Sequence, residues 1–136
     1  MKKLILITIL TFVAVTTYGQ NFEKGNFVGF HVLTITLNPN ITMDQFLDFW
    51  KNKLVPEQEK NYECKAYIVK GIRGECKDCF GLFMVWESEA GRDKFFKPEG
   101  ELNDLGIAAS AKMKTVTDEL AKLGTYTSKY TDWVVQ

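Results

Sequence analysis

The chain contains a single histidine, His31, and this side chain is the first candidate for acid–base chemistry. It lies in the run FVGFHVLTITL, residues 27–37, where strand alternation places it on the same face as Leu33 and Ile35. An imidazole held on an apolar face can donate a proton to a bound ligand or accept one from it. The alternative is a core histidine bonded to a neighbouring carbonyl or hydroxyl. One histidine excludes a two-histidine metal site, and we predict no metal and no cofactor.

Two cysteines, Cys76 and Cys79, form the sequence CKDC between two predicted strands. A thioredoxin-like motif requires the first cysteine at a helix N-terminus, and covalent haem attachment requires histidine where Phe80 stands. In an oxidising compartment this pair favours a small disulfide that stiffens a hairpin tip, with a redox or metal-delivery role as the alternative. Cys64 is too far along an extended strand to reach the pair, so we expect a lone, partly buried thiol.

Aromatic side chains are numerous for one small core and are candidates for lining a ligand pocket. A flat apolar ligand between sheet and helices would suit them, because small-molecule pockets are mostly apolar. Ordinary packing in the core and in a dimer interface is the alternative. We predict four lining residues, with two tyrosines as further candidates: Trp50, Tyr67, Phe83 and Trp86, then Tyr126 and Tyr130.

The N-terminus has the three-part form of a secretory signal, and this changes what the composition means. Two lysines precede the apolar run LILITILTFVAV, and small residues follow up to Gly19. We predict a signal peptide at residues 1–19 and one domain at residues 20–136, exported to a periplasm or secreted. The run is shorter than the about 20 residues that span a bilayer, so no membrane association is expected after cleavage. The 17 basic and 17 acidic residues give no field for nucleic acid.

Six elements are predicted in the exported part. The first strand ends at Asn38-Pro39-Asn40, and a helix then begins at Thr42, which forms a capping box with Gln45. Pro56 is expected to end or kink this helix near Val55. The remaining elements are strands at 62–73 and 80–88, a helical region at 89–123 that is interrupted at 97–100, and a strand at 125–136. We assign the charges of the helical region to a solvated face, and we expect Gly124 to cap its end.

The order β-α-β-β-α-β predicts an α+β, ferredoxin-like fold. In this fold a four-stranded antiparallel sheet carries both helices on one face, and the first and third strands lie in the middle. Both of these strands are apolar on both faces, although two helices cover only one face of the sheet. We therefore expect a second copy of the chain to cover the other face, giving a homodimer that pairs sheet to sheet.

The segments FVGFHVLTITLNPNITMDQFLDFWKNKLVPEQEK and GLFMVWESEAGRDKFF resemble the dimeric α/β-barrel superfamily. Its members pair ferredoxin-like folds through their sheets, and they include stress-responsive A/B-barrel proteins and small monooxygenases. The resemblance implies that His31 occupies the place of a histidine lining a pocket between sheet and helices. It leaves three functions open: binding of a small apolar or aromatic ligand near His31, a structural or interaction module without ligand, and a cofactor-free monooxygenase- or cyclase-like enzyme with His31 as acid or base.

Overall fold

The structure is a computed structural model that describes residues 22–136. The predicted signal peptide, residues 1–19, lies outside the described residues. The first strand, β1, spans Phe27–Leu37, as its alternating apolar pattern predicts. It leads into helix α1, Met43–Phe49, whose N-cap is Thr42. The predicted capping box is confirmed, because the Thr42 hydroxyl accepts from the backbone N–H of Gln45 while the Gln45 side chain accepts from the backbone N–H of Thr42.

Pro56 is predicted to end or kink the helix near Val55, and the first of these two effects, an end of the helix, is wrong. A π-helical segment, Trp50–Leu54, joins α1 to α2, Val55–Tyr62, so helical backbone continues beyond the proline. Pro56 has no N–H to donate, and its ring crowds the carbonyl four residues earlier. Here it falls in the first turn of α2, after a segment in which the N–H of Val55 bonds to the carbonyl of Trp50, five residues back. The wider π turn accommodates the proline without ending the helix.

The second strand is shorter than predicted at both ends, and the preceding helix takes its first residue. Tyr62 ends α2, and Glu63 follows with a left-handed φ of 50°. Strand β2 is Lys65–Lys70 and strand β3 is Phe80–Trp86. The two form the predicted hairpin, whose connecting loop spans 71–79.

The helical region after β3 is divided into short pieces. Helix α3 spans Glu89–Asp93, α4 spans Asp104–Lys112 and α5 spans Lys114–Ala121. The last strand, β4, spans Gly124–Val134. The predicted role of Gly124 as a left-handed helix cap is wrong, because it is the first strand residue and pairs with Leu37. A Cβ there would lie 2.6 Å from the carbonyl oxygen of Thr36, so glycine is required by close approach of two strands.

The four strands form one antiparallel sheet in the order β2-β3-β1-β4. The expectation that the first and third strands are central is therefore confirmed. Helices pack on one face, where they form a single core with β1, β2 and β3. The three most deeply buried large side chains of this core come from the first helical stretch: Phe46, Trp50 and Leu54.

The opposite face, which we call the outer face, carries the other parity of each strand. At its centre the rings of Phe30 and Phe83 stack 4.4 Å apart. Val32 and Val85 flank them, and Trp133 on β4 is 60% exposed. Within residues 22–136 the core that the helices form includes no side chain of this face.

Candidate functional site

The antiparallel register of β1 and β4 brings four side chains together on the helix-covered face. Gly29 pairs with Asp132, His31 with Tyr130 and Leu33 with Ser128. Directly paired residues point to the same face of a sheet, and diagonal neighbours lie within reach of a ring. His31 therefore lies among the side chains of Ser128, Tyr130 and Asp132.

His31 is held by a hydrogen bond and a ring contact. Its Nδ1 lies 3.3 Å from the Oγ of Ser128, and its ring stacks on Tyr130 with centroids 5.5 Å apart. Burial lowers the pKa of His31 below its usual 6.5, and the nearby Asp132 carboxylate partly opposes this shift. The imidazole is consequently neutral at pH 7, with one nitrogen able to donate a hydrogen bond and the other able to accept one.

Asp132 is in turn held by Arg92, which is buried although it is charged. The guanidinium lies 3.1 Å from Asp132 Oδ2, contacts Asp93, and donates to the carbonyl of Lys97 at 2.5 Å. Its carbon atom Cζ lies 5.3 Å from the centre of the Phe96 ring, a cation–π distance. Arg92 is the one exception to the predicted solvated face, because the other charged side chains of this helical region are exposed. Arg92 is buried because carboxylates and a carbonyl satisfy its donors.

A turn at residues 96–102, which we call the strap, closes one side of the site. Phe96 bridges Leu102, and a backbone hydrogen bond joins the N–H of Lys97 to the carbonyl of Glu101. The hydroxyl of Tyr130 donates to the carbonyl of Glu99 at 2.8 Å, which ties the strap to β4. Gly100 has a φ of 90° and a Cβ there would clash with the Tyr130 hydroxyl, so this position requires glycine.

Between the sheet, α3 and the strap lies a cavity of about 310 Å³. Its walls combine aromatic and apolar side chains with a few polar groups that point inward. This is the usual character of a small-molecule site, and the volume falls at the small end of the about 300–1,000 Å³ range. The lining residues are His31, Met84, Trp86, Arg92, Phe96, Gly100, Ser128, Tyr130 and Asp132.

The predicted pocket residues are divided between three places. Trp86 lines the cavity with His31, and its indole N–H donates to the carbonyl of Tyr62. Trp50 is fully buried in the core, where it bonds to Gln58. Tyr67 and Phe83 lie on the outer face, away from the cavity. Of the two further tyrosines, Tyr130 lines the cavity and Tyr126 packs on Trp50.

Sequence reasoning did not identify Arg92, Ser128 or Asp132. Ser128 and Asp132 could have been found from the alternation of side chains along β4, which places both on the same face as Tyr126 and Tyr130. No such signal exists for Arg92, since its burial depends on contacts with residues distant in the chain.

The cysteines occupy two separate environments. Cys76 and Cys79 form a disulfide in the loop between β2 and β3, with Cα atoms 5.2 Å apart. Cys64 is a buried free thiol, and burial raises its pKa to about 12, which disfavours the nucleophilic thiolate. In the described part of the chain, no cluster of three or more His, Cys, Asp or Glu side chains is arranged to hold a metal ion.

No protein-family model matches the chain, and no curated protein is significantly similar to it. Of the helices in residues 22–136, none combines the length and the apolar character that crossing a bilayer requires.

Proposed function

We propose that this protein binds a small, mostly apolar molecule in the cavity beside His31. The observation that supports this most is the convergence of His31, Ser128 and Asp132 on a cavity walled by Trp86 and Phe96. Together with Arg92 and Tyr130, these polar side chains among aromatic and apolar ones would fix a ligand's orientation, whereas a simple core has no use for them. His31 is the polar anchor because it is neutral and its ring is held by two neighbours.

The three tryptophans allow a direct test by NMR with ¹⁵N-labelled protein. The indole signal of Trp86 reports on the cavity, that of Trp50 on the core and that of Trp133 on the outer face. Titration with a small aromatic compound such as indole should shift the Trp86 signal and leave that of Trp133 unchanged.

His31→Ala should weaken this binding while the far-ultraviolet circular dichroism stays unchanged. Thr34→Ala is the matched control, because Thr34 is an exposed residue of the same strand on the outer face. A shift of Trp133 alone would place the ligand on the outer face and refute the proposal, and so would a Trp86 shift that His31→Ala does not change.

A cofactor-free enzyme that uses His31 as acid or base is the second candidate. The supporting observation is the 3.3 Å contact between Nδ1 of a neutral imidazole and the Ser128 hydroxyl. An enzymatic role requires turnover that falls with His31→Ala and follows the titration of one group in a pH profile. Binding without turnover across candidate substrates would favour the binding protein.

The fold that we propose is the ferredoxin-like one of the dimeric α/β-barrel superfamily. Read from the other edge, the strand order is β4-β1-β3-β2, and one helical stretch connects β1 to β2 while another connects β3 to β4. Both features match the split β-α-β arrangement. The apolar outer face supports pairing of two copies, because a contiguous apolar patch on a sheet is normally covered by a partner.

The homodimer is tested by sedimentation. Wild-type protein should sediment as a dimer at micromolar concentration, and Trp133→Ala should shift the equilibrium toward monomer. Ile107→Ala is the matched control, since Ile107 is similarly exposed, at 57% against 60%, but belongs to α4. A monomeric wild type, or equal effects of both substitutions, contradicts the dimer.

Export is the last part of the proposal, and it depends on the N-terminal pattern alone. Mass spectrometry of protein recovered from an exporting host should find a chain that begins at Gln20. Recovery of the intact chain from the cytoplasm would refute it.

A further inference from the structure

Gly29 has no side chain, so its Cα faces three side chains of the cavity wall directly. An ideal Cβ on Gly29 would stand 3.3 Å from Asp132 Oδ1, 3.4 Å from Trp86 Cζ3 and 3.6 Å from His31 Nε2. All three of these neighbours line the cavity. We call the part of the cavity nearest to Gly29 the Gly29 niche. A ligand atom cannot take the Cβ position itself, which is one bond length from the Cα, but an atom in the cavity beside it would lie near the two polar atoms and the aromatic edge.

The two polar atoms at the niche have complementary roles. Asp132 bonds to Arg92 through Oδ2, which leaves Oδ1 as an acceptor toward the niche. His31 uses Nδ1 toward the Ser128 hydroxyl, and a neighbouring carboxylate favours the tautomer whose N–H faces it, at Nε2. In the described residues His31 and Asp132 form no direct hydrogen bond or ion pair. The niche therefore presents one donor and one acceptor side by side.

Charge at the niche excludes two kinds of ligand group. A cation there would be close to the Arg92 guanidinium, and an anion would face Asp132 Oδ1. An ammonium group also has no acceptor for the His31 N–H, and a carboxylate has no donor for Asp132. A neutral hydroxyl group donates one hydrogen bond and accepts others, so it satisfies both partners.

We infer that the Gly29 niche receives a neutral hydroxyl group of a small aromatic ligand, with Gly29 and Asp132 determining specificity. This inference rests on the proposed ligand-binding function and adds the chemical class of the ligand. The aromatic part of the ligand would lie against Trp86 and Phe96, the rings that line the same cavity.

Four probes of similar shape and different polar groups test the inference: phenol, toluene, benzylamine and benzoate. Each is titrated into ¹⁵N-labelled protein, and the Trp86 indole signal is followed with Trp133 as the internal control. Phenol and toluene have nearly the same shape and differ in the hydroxyl alone. We expect phenol to bind at least about tenfold more tightly than toluene, as one charge-assisted hydrogen bond provides, and more tightly than either charged probe.

Two substitutions separate the niche from the rest of the cavity. Gly29→Ala narrows the niche by a methyl group whose contacts at 3.3 and 3.4 Å require the side chains of Asp132 and Trp86 to shift by a few tenths of an ångström. The fold should persist, and the preference for phenol over toluene should disappear. Asp132→Asn keeps the side-chain shape. When the amide oxygen of the Asn faces Arg92, its NH₂ group points to the niche. The niche then holds two donors, this NH₂ group and the His31 N–H, and should favour benzoate over phenol. Thr34→Ala serves again as the control that changes neither preference.

The outcomes distinguish this inference from the proposed function. If toluene binds the cavity as tightly as phenol, or if Gly29→Ala leaves the preference unchanged, the inference is overturned while ligand binding stands. If no probe shifts Trp86, the proposed function fails and the inference fails with it. A phenol preference that Gly29→Ala abolishes and Asp132→Asn converts to benzoate supports both.

Discussion

Replacing Arg92 by Ala is the most severe test of how the site is held together. The guanidinium joins α3 to β4 through Asp132 and to the strap through the carbonyl of Lys97. It also lies over the rings of Phe27 and Phe96, at 5.9 and 5.3 Å from the two centroids. Truncation to Ala removes the charge, the ion pairs with Asp132 and Asp93, the hydrogen bond to Lys97 and both ring contacts at once.

The expected loss of stability depends on how far water screens each of these groups. Breaking a buried ion pair costs about 3–5 kcal/mol, because the remaining charge stays without a partner. The side chain of Asp132 is 26% exposed, so water recovers part of that cost. The contact with Asp93, which is 47% exposed, contributes little. We therefore expect a loss of about 3 kcal/mol, which corresponds to a fall in Tm of about 12 °C for a domain of this size.

Urea denaturation followed by tryptophan fluorescence measures this loss, and Arg73→Ala provides the control. Arg73 is an exposed residue of the loop between β2 and β3, so its replacement should change stability by no more than about 0.5 kcal/mol. Arg92→Ala should also be non-additive with Asp132→Asn, because both substitutions break the same pair. A loss below about 1 kcal/mol, or strict additivity, would show that Arg92 does not hold the site.

Three further perturbations test other parts of the structure. The pKa of His31 is lowered in the folded state, so the unfolded chain binds a proton at His31 more readily, and stability should fall as the pH drops below about 6.5 toward the folded-state pKa. His31→Asn should flatten this part of the stability profile measured by urea denaturation, and an identical slope in the variant would contradict the prediction. Replacing Cys76 and Cys79 together by Ser should cost at most about 2 kcal/mol in the same assay, because the disulfide closes a very short loop, and a larger loss would mean that it does more than constrain the unfolded chain. Gly124→Ala should lower the Tm by an amount equivalent to about 1–3 kcal/mol, since the added methyl meets the carbonyl of Thr36, and an unchanged Tm would refute that close approach.

Local patterns were sufficient to predict much of the fold. The alternation of apolar residues is enough to predict the first strand, and Thr42 with Gln45 is enough to predict the start of the first helix, because both signals act over a few residues. The central position of β1 and β3 follows from their apolar character on both faces. The errors at Pro56 and Gly124 have a common cause. Each residue has two structural uses, and the choice between them depends on neighbours that are distant in sequence or on a local change of helix type.

The site was less predictable than the fold for a related reason. His31 stands out in the sequence because it is unique, and Trp86 because it lies on a central strand. Arg92 and Asp132 look like ordinary surface charges until the register of β1 with β4 and the position of α3 bring them together. Buried charges of this kind are defined by their partners, so a pattern of residue types along one segment does not distinguish them from solvated ones.

The two surfaces to which we assign functions use opposite faces of the same strand. The odd-numbered positions of β1 carry Gly29 and His31 to the cavity, and the even-numbered positions carry Phe30 and Val32 to the outer face. A partner bound to the outer face would therefore leave the cavity accessible, because the sheet separates the two. Coupling between them would have to pass through the backbone of β1 and β4, whose paired hydrogen bonds resist displacement. We accordingly expect the affinity for phenol to be the same in the dimer and in a Trp133→Ala monomer.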